Sequence, residues 1–405
     1  MKQPRVDSPA AWGVAVAQLL LITMAMGSVY LLPVGLKPIA QDFDWPRSVP
    51  SLAAALQMIG TGLGGIFMGR WLDRAGMGGP ALAGSIAIGL GMILTTWIDA
   101  AWQLYVISAV LIGFVGNGAM FSPLITNTTR WFERRRGIAV AVVASGQSIA
   151  GAVWPLVFGW SIVAFGWRDS YFWGGILCLA VMLPLVLVVR RRPPAPTLAS
   201  VASRLPDTHR VAGLPRDVPH GLLAAGIFTC CVAMAVPLVH IVAHATDVGY
   251  SPTRGAFLLS LIQLLSFGSR VGIGALADEL GATTSIIVGS ALQAVGLVLF
   301  SLTHGDVGMF IAAALFGLGF GGLIPCYAVA VRELYPPSEV GWRIGLVFFA
   351  GSIGMAAGGW LAGATFDWLG SYTPAFVGAA AVNGLNLALL AFLRVAQVRA
   401  ARAAA

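Results

Sequence analysis

Arg270 is the residue whose type and place most clearly carry chemistry. It lies inside an apolar stretch, 254–276, long enough to cross a bilayer. Arginine at membrane depth costs at least about 2.5–3.5 kcal/mol on insertion scales, so it should face a wet cavity or a partner. Its planar fork can hold a carboxylate through two parallel charge-assisted hydrogen bonds. The bland alternative is an arginine that snorkels to the nearer surface and serves only topology. Arg270 precedes Asp278 by eight residues, roughly 12 Å at helical rise, which is deep for snorkelling. All sixteen acidic residues fall in loops or at span ends. The bilayer interior therefore offers Arg270 no carboxylate, and an anionic substrate could fill that role.

His240 and His244 are spaced to share one face of a helix. A zinc site would need further ligands, and none is near. His240 is either a cavity histidine that takes up a proton near neutral pH or a hydrogen-bonded packing residue. Asn117 is a polar amide in a small, apolar run and needs a partner. That partner is a substrate or a neighbouring helix. Cys178, Cys230, Cys231 and Cys326 all sit in apolar runs without CxxC spacing and read as small buried residues. No Ser/His/Asp set, metal-ligand set or phosphate loop appears, so an enzyme and a cofactor are not expected.

The elements that must position these residues follow from composition. Of 405 residues, 58% are apolar and only 10% charged, against roughly 25% charged in soluble domains. Such a chain cannot cover itself for water, which excludes a soluble enzyme, a nucleic-acid binder and a disordered protein. The first apolar run is long enough to span and lacks a cleavage site, so no signal peptide is expected. Breaks recur at the interval a membrane helix needs, about 20 residues. Twelve spans are predicted, near 11–33, 50–70, 80–98, 103–128, 138–160, 169–189, 220–246, 254–276, 283–302, 307–331, 343–363 and 371–393. Runs such as Ile176–Val189 do not alternate in polarity, which strongly favours helices over an outer-membrane barrel.

The 24 basic residues set the orientation. With both termini cytoplasmic, nineteen fall inside, and only Lys37, Arg47, Arg168 and Arg254 fall outside. Arg270, within span eight, is the remaining one. The proline-containing, basic stretch 190–219 reads as a cytoplasmic linker between a six-helix bundle at 1–189 and another at 220–405. The halves look like copies. Gly69-x-x-x-Asp73-x-x-Gly76 recurs as Gly274-x-x-x-Asp278-x-x-Gly281, 205 residues on, while Pro33 matches Pro237 and Gly113 matches Gly317 at 204.

Twelve spans in two halves, a central linker and the Gly69–Gly76 loop together resemble the major facilitator superfamily. Val34-Gly-Leu-Lys-Pro38, Arg130-Trp-Phe-Glu-Arg-Arg-Arg-Gly137 and Gly268-Ser-Arg-Val271 resemble its bacterial branch near the monocarboxylate transporters and oxalate:formate antiporters. The resemblance implies an all-α membrane fold of two pseudo-symmetric bundles that rock about a central site. It implies that Arg270 binds a carboxylate and that Tyr30, Phe121 and Gln147 line the pocket, with Tyr327 a weaker candidate. It also implies a cytoplasmic latch from Gly69, Asp73, Arg74, Gly76, Arg130 and Asp278, with the Asp73 carboxylate near the start of helix eleven. Ser266 stands where animal relatives carry an aspartate, and Gly351 where oxalate-binding relatives carry a lysine. With one intramembrane cation in place of two, a monocarboxylate is favoured over a dicarboxylate.

The expected function is secondary transport of a small carboxylate with a proton as coupling ion. Its expected setting is a bacterial inner membrane, where the chain works as a monomer in the lipid bilayer, without nucleic acid. Proton coupling would run through His240 or the substrate's own carboxylate. The alternatives are a drug or neutral-solute exporter on the same fold, which would not need Arg270, and a non-transporting receptor or scaffold.

Overall fold

The computed structural model describes residues 7–132, 136–191, 210–303 and 305–404. Twelve helices in it are long and apolar enough to cross a membrane. In the first half they are α1 (Pro9–Asp42), α2 (Ser48–Ala75), α3 (Gly78–Thr95), α4 (Ala101–Thr129), α5 (Arg136–Phe165) and α6 (Trp167–Val189). In the second they are α7 (Asp217–Asp247), α8 (Pro252–Leu280), α9 (Ala282–Leu302), α10 (Asp306–Leu334), α11 (Pro337–Leu369) and α12 (Thr373–Ala404). A small antiparallel hairpin, β1 (Arg210–Val211) with β2 (Leu214–Pro215), precedes α7.

Most helices overrun the predicted spans, although α3 ends at Thr95, short of the predicted 98. α1 continues through Pro33 and Pro38 to Asp42, and prolines also lie inside α5, α6 and α7. A membrane helix tolerates the missing N–H because neighbouring helices and local adjustments satisfy the freed carbonyl. Pro33 is therefore no stop signal here. α4 is irregular: Ile107–Asn117 is wound as a π-helix, and the chain breaks again at Phe121 (φ −115°, ψ −77°).

Two compact units form, residues 1–198 with 242–260, and residues 199–241 with 261–405. In the first, α1 packs on α5 and α6, α2 on α4, and α3 on α4 and α6. In the second, α9 packs on α10 and α12, and α11 on α7 where Gly354 and Gly358 meet the backbone of Phe228 and Val232.

The internal repeat is built into the packing of each unit. Gly113 lies against the Gln57 carbonyl, as Gly317 lies against that of Ile262; a methyl group at either glycine would stand 2.6 Å from that oxygen. Gly91 against Ile112 is matched by Gly296 against Phe316. Backbone turns repeat as well. Positive φ occurs at Asp7 and Ala212, Asp44 and Gly249, Gly76 and Gly281, and Gly166 and Gly370, each pair 204 or 205 residues apart. Gly76 (φ 81°) and Gly281 (φ 83°) each follow a helix and donate an N–H back to it, to Leu72 and Ala277 respectively. Positive φ combined with ψ of 178° at Gly76 and 154° at Gly281 is a backbone conformation that glycine adopts without steric cost.

Candidate functional site

Arg270 occupies the margin of a buried stripe on α8. Ile262, Gln263, Ser266, Ser269, Ile273 and Ala277 are buried, whereas Leu264, Phe267 and Val271 are exposed. The stripe is set by close packing on α10: Gly321 approaches the Ser266 carbonyl, and Ser269 donates its hydroxyl to the Leu318 carbonyl. Arg270 is half-buried, one turn after Ser266. No Cβ neighbour lies within 4 Å at Gly268, Gly272 or Gly274, so this stretch of α8 has space on its other side.

Two further predicted residues lie in the same unit, each in a hydrogen-bonded setting. His240 is fully buried, with Nε2 2.7 Å from the Gly359 carbonyl and Nδ1 3.1 Å from the Tyr372 hydroxyl. A carbonyl only accepts, so Nε2 carries a proton, and in the neutral imidazole Nδ1 accepts from Tyr372. Tyr327 is fully buried and donates its hydroxyl to Asn386 Oδ1 at 2.9 Å. Asn386 Nδ2 in turn donates to Ser290 Oγ at 2.9 Å, and Asn383 Nδ2 to the Ser290 carbonyl at 2.7 Å. Sequence reasoning missed this network across α9, α10 and α12. Its signal is two polar residues three apart, Asn383 and Asn386, inside an apolar span.

The first unit holds the other candidates. Asn117 closes the π-helical stretch of α4 and is fully buried. Its Nδ2 donates to Ser28 Oγ of α1 and to the Ile112 carbonyl, both at 3.1 Å, so it makes a helix-to-helix bond. The Ile112 carbonyl requires a donor there, which fixes the amide orientation. Oδ1 has no hydrogen-bond partner among the described residues. Tyr30 is buried in α1, Phe121 marks the break in α4, and Gln147 is half-buried on α5 beside Gly146, which packs on the Leu19 carbonyl. Gln18 is also fully buried and accepts a 2.5 Å bond from Thr128.

Of the latch residues, Gly69 is on α2 with open space around it, Arg74 is in the last turn of α2, and Arg130 caps α4. The side chains of Asp73 and Asp278, and residues 133–135 of the arginine cluster, lie outside what the structure describes. In the second unit, Arg343 near the start of α11 is buried. It donates to Glu339 (2.9 Å) and Asp217 (3.2 Å) while its guanidinium stands over the Tyr335 and Trp342 rings. Tyr335, between the spans, donates to the Arg216 carbonyl at 2.8 Å, and burial pushes its hydroxyl up to about 12.

Lys37, Arg47 and Arg168, all expected outside, are tied to acids within the first unit. Lys37 and Arg47 both bind Asp247, and Arg168 binds Asp42. Among the described residues, no three His, Cys, Asp or Glu side chains come together as a metal site.

The chain matches the Major Facilitator Superfamily over residues 19–308 and 221–404. It is 28% identical to the MFS-type transporter pynF of Aspergillus niger, covering 88% of this chain and 82% of that one. It is also 28% identical to monocarboxylate transporter 13 of Rattus norvegicus, covering 82% of this chain and 76% of that one. Among solved structures, the inward-facing, unoccupied bacterial homolog of the human lysosomal transporter Spinster superposes with a TM-score of 0.70. It is 16% identical and covers 97% of each chain, a likeness of fold. The matched residues cover nearly the whole chain, and with twelve apolar helices they make this a multi-pass membrane protein and a secondary transporter belonging to the Major Facilitator Superfamily.

Proposed function

We propose that this chain carries a small monocarboxylate across a bacterial inner membrane together with a proton, both termini being cytoplasmic. The observation that carries the reading is Arg270, a half-buried arginine within an apolar membrane helix. Its fork suits one carboxylate, which it would hold through paired charge-assisted hydrogen bonds. Similarity to proteins named monocarboxylate transporters supports this choice of substrate class over a lipophilic cation. Tyr30, Gln147 and Phe121 are proposed as pocket walls. In an alternating-access cycle the carboxylate would be released when its site opens to the other side, and the proton would travel on His240 or on the substrate acid itself.

The test is uptake of radiolabelled lactate, pyruvate and acetate into proteoliposomes, with and without an inward proton gradient. Uptake should rise with the gradient, and Arg270→Ala should reduce it at least about 100-fold, as expected when a buried charge partner is removed. Wild-type carboxylate flux in Arg270→Ala, or inhibition of flux by lipophilic cations in place of carboxylates, would refute the assignment.

A further inference from the structure

An apolar groove of about 580 Å³ runs along the first unit between the start of α3 and the end of α6. Gly78, Gly79, Leu82, Leu183, Leu187 and Arg190 line it, and Arg190 is its one charged lining residue. The volume falls within the range of small-molecule sites, roughly 300–1,000 Å³, yet the walls offer almost nothing for a polar solute to bind.

The groove exists because two glycines open α3. A methyl group at Gly78 would stand 3.0 Å from Arg190 Cβ, and one at Gly79 would stand 2.9 Å from the Trp71 ring. Leu82 and Leu187 are 45% and 59% exposed. In membrane-spanning helices, side chains exposed to this extent meet lipid. Trp71 is 42% exposed, and a tryptophan at a helix end marks the headgroup level. Arg190 and its neighbour Arg191 are exposed at that same end, and α3 begins there with no side-chain cap on its first N–H groups. An acyl-shaped trough thus ends in positive charge at interface depth.

We infer that this groove is a binding site for an anionic phospholipid of the arginine-rich leaflet, with an acyl chain along Leu82, Leu183 and Leu187 and the phosphate at Arg190. Charge complementarity selects the headgroup: a basic side chain near an anionic surface contributes about a fivefold gain in affinity. A zwitterionic lipid fills the trough equally well but gains less at Arg190.

Native mass spectrometry of the detergent-purified chain, titrated with dioleoyl phosphatidylglycerol or dioleoyl phosphatidylcholine, tests this. Phosphatidylglycerol should bind more tightly, and Arg190→Gln should weaken it about fivefold while weakening phosphatidylcholine less. Arg399→Gln, in the other unit, should leave both titrations unchanged. Leu187→Trp, which fills the trough without altering charge, should lower occupancy by both lipids. Equal binding of the two lipids to the wild-type chain overturns the proposal. Unaltered phosphatidylglycerol binding in either Arg190→Gln or Leu187→Trp also overturns it. So does a shift from dimer to monomer in Leu187→Trp, which would make the groove a contact between copies.

Discussion

Asn117 and Asn386 are both buried asparagines inside apolar helices, yet replacing each with leucine should have opposite consequences. Asn117 gives two hydrogen bonds through Nδ2 and leaves Oδ1 unsatisfied among the described residues. Interhelical hydrogen bonds in membranes average about 0.6 kcal/mol, with a maximum of about 1.7, so the two bonds together contribute about 1–3 kcal/mol. A buried acceptor without a partner costs about 1–3 kcal/mol, which leucine would relieve. Ser28 keeps its own bond to the Ala25 carbonyl at 2.7 Å. The net change at Asn117→Leu is therefore close to zero, within about 1 kcal/mol. Asn386 accepts from Tyr327 and donates to Ser290 Oγ and to Asn383 Oδ1. Leucine there strands several buried partners and should cost about 2–4 kcal/mol. Thermal unfolding can be read with a thiol-reactive fluorophore, because Cys178, Cys230, Cys231 and Cys326 are free and buried until the bundle opens. Asn117→Leu should melt near wild type, and Asn386→Leu clearly lower. Equal destabilisation of the two would refute the reasoning from satisfied and unsatisfied amides. If Asn117→Leu holds its melting temperature while uptake falls, Asn117 serves transport.

Gly113→Ala and Gly317→Ala should each destabilise by about 1–3 kcal/mol through overpacking, since the added methyl meets backbone oxygen at 2.6 Å. Gly69→Ala and Gly274→Ala meet no atom within 4 Å, so their melting temperatures should stay unchanged, and any loss of uptake there reports on another state of the cycle. Tyr327→Phe should lower stability by about 1 kcal/mol without changing KM, whereas a raised KM would place the hydroxyl on the substrate. For His240→Gln, gradient-driven accumulation should vanish while carboxylate exchange at equal pH persists; intact accumulation would leave His240 as a packing residue bonded to Gly359 and Tyr372.

The membrane fold was legible because charge is scarce: at 10% of residues, each charge could be assigned to a side, and Arg270 stood out inside a span. Uncharged polar residues, such as Asn117, Asn383 and Asn386, gave a weaker signal that does not name their partners. Asn386 and Ser290 look alike in sequence to many polar residues that face backbone, and only the packing of α9 against α12 reveals that they bond each other. The ion pairs Lys37–Asp247 and Arg216–Glu339 join residues more than 100 positions apart, so no local spacing announces them. The first span is predicted to close near residue 33, whereas α1 continues through Pro33 and Pro38 to Asp42.

The repeat bears on where function resides. The two copies agree in packing glycines and turn geometry even where the residues differ, as at Asp44 and Gly249 or Asp7 and Ala212, which share positive φ. Such agreement is what a common scaffold requires, and it says nothing of substrate. The latch residues Gly69, Asp73 and Gly76 are shared with the second copy, whereas Arg270, His240 and Asn117 are places where the copies part. At the repeat offsets of 204 and 205, Arg270 corresponds to Gly65, His240 to Leu36 and Asn117 to Gly321. A symmetric carrier with arginine at both positions would bring two cations into the membrane and suit two carboxylates. With arginine in only one copy, the proposed site suits an asymmetric ligand with one charged end and one apolar end, the shape of the proposed monocarboxylate. Gly65→Arg should therefore shift preference toward dicarboxylates in the uptake assay, and a variant that remains folded and transports lactate and oxalate in the wild-type ratio would break the link between copy asymmetry and substrate charge.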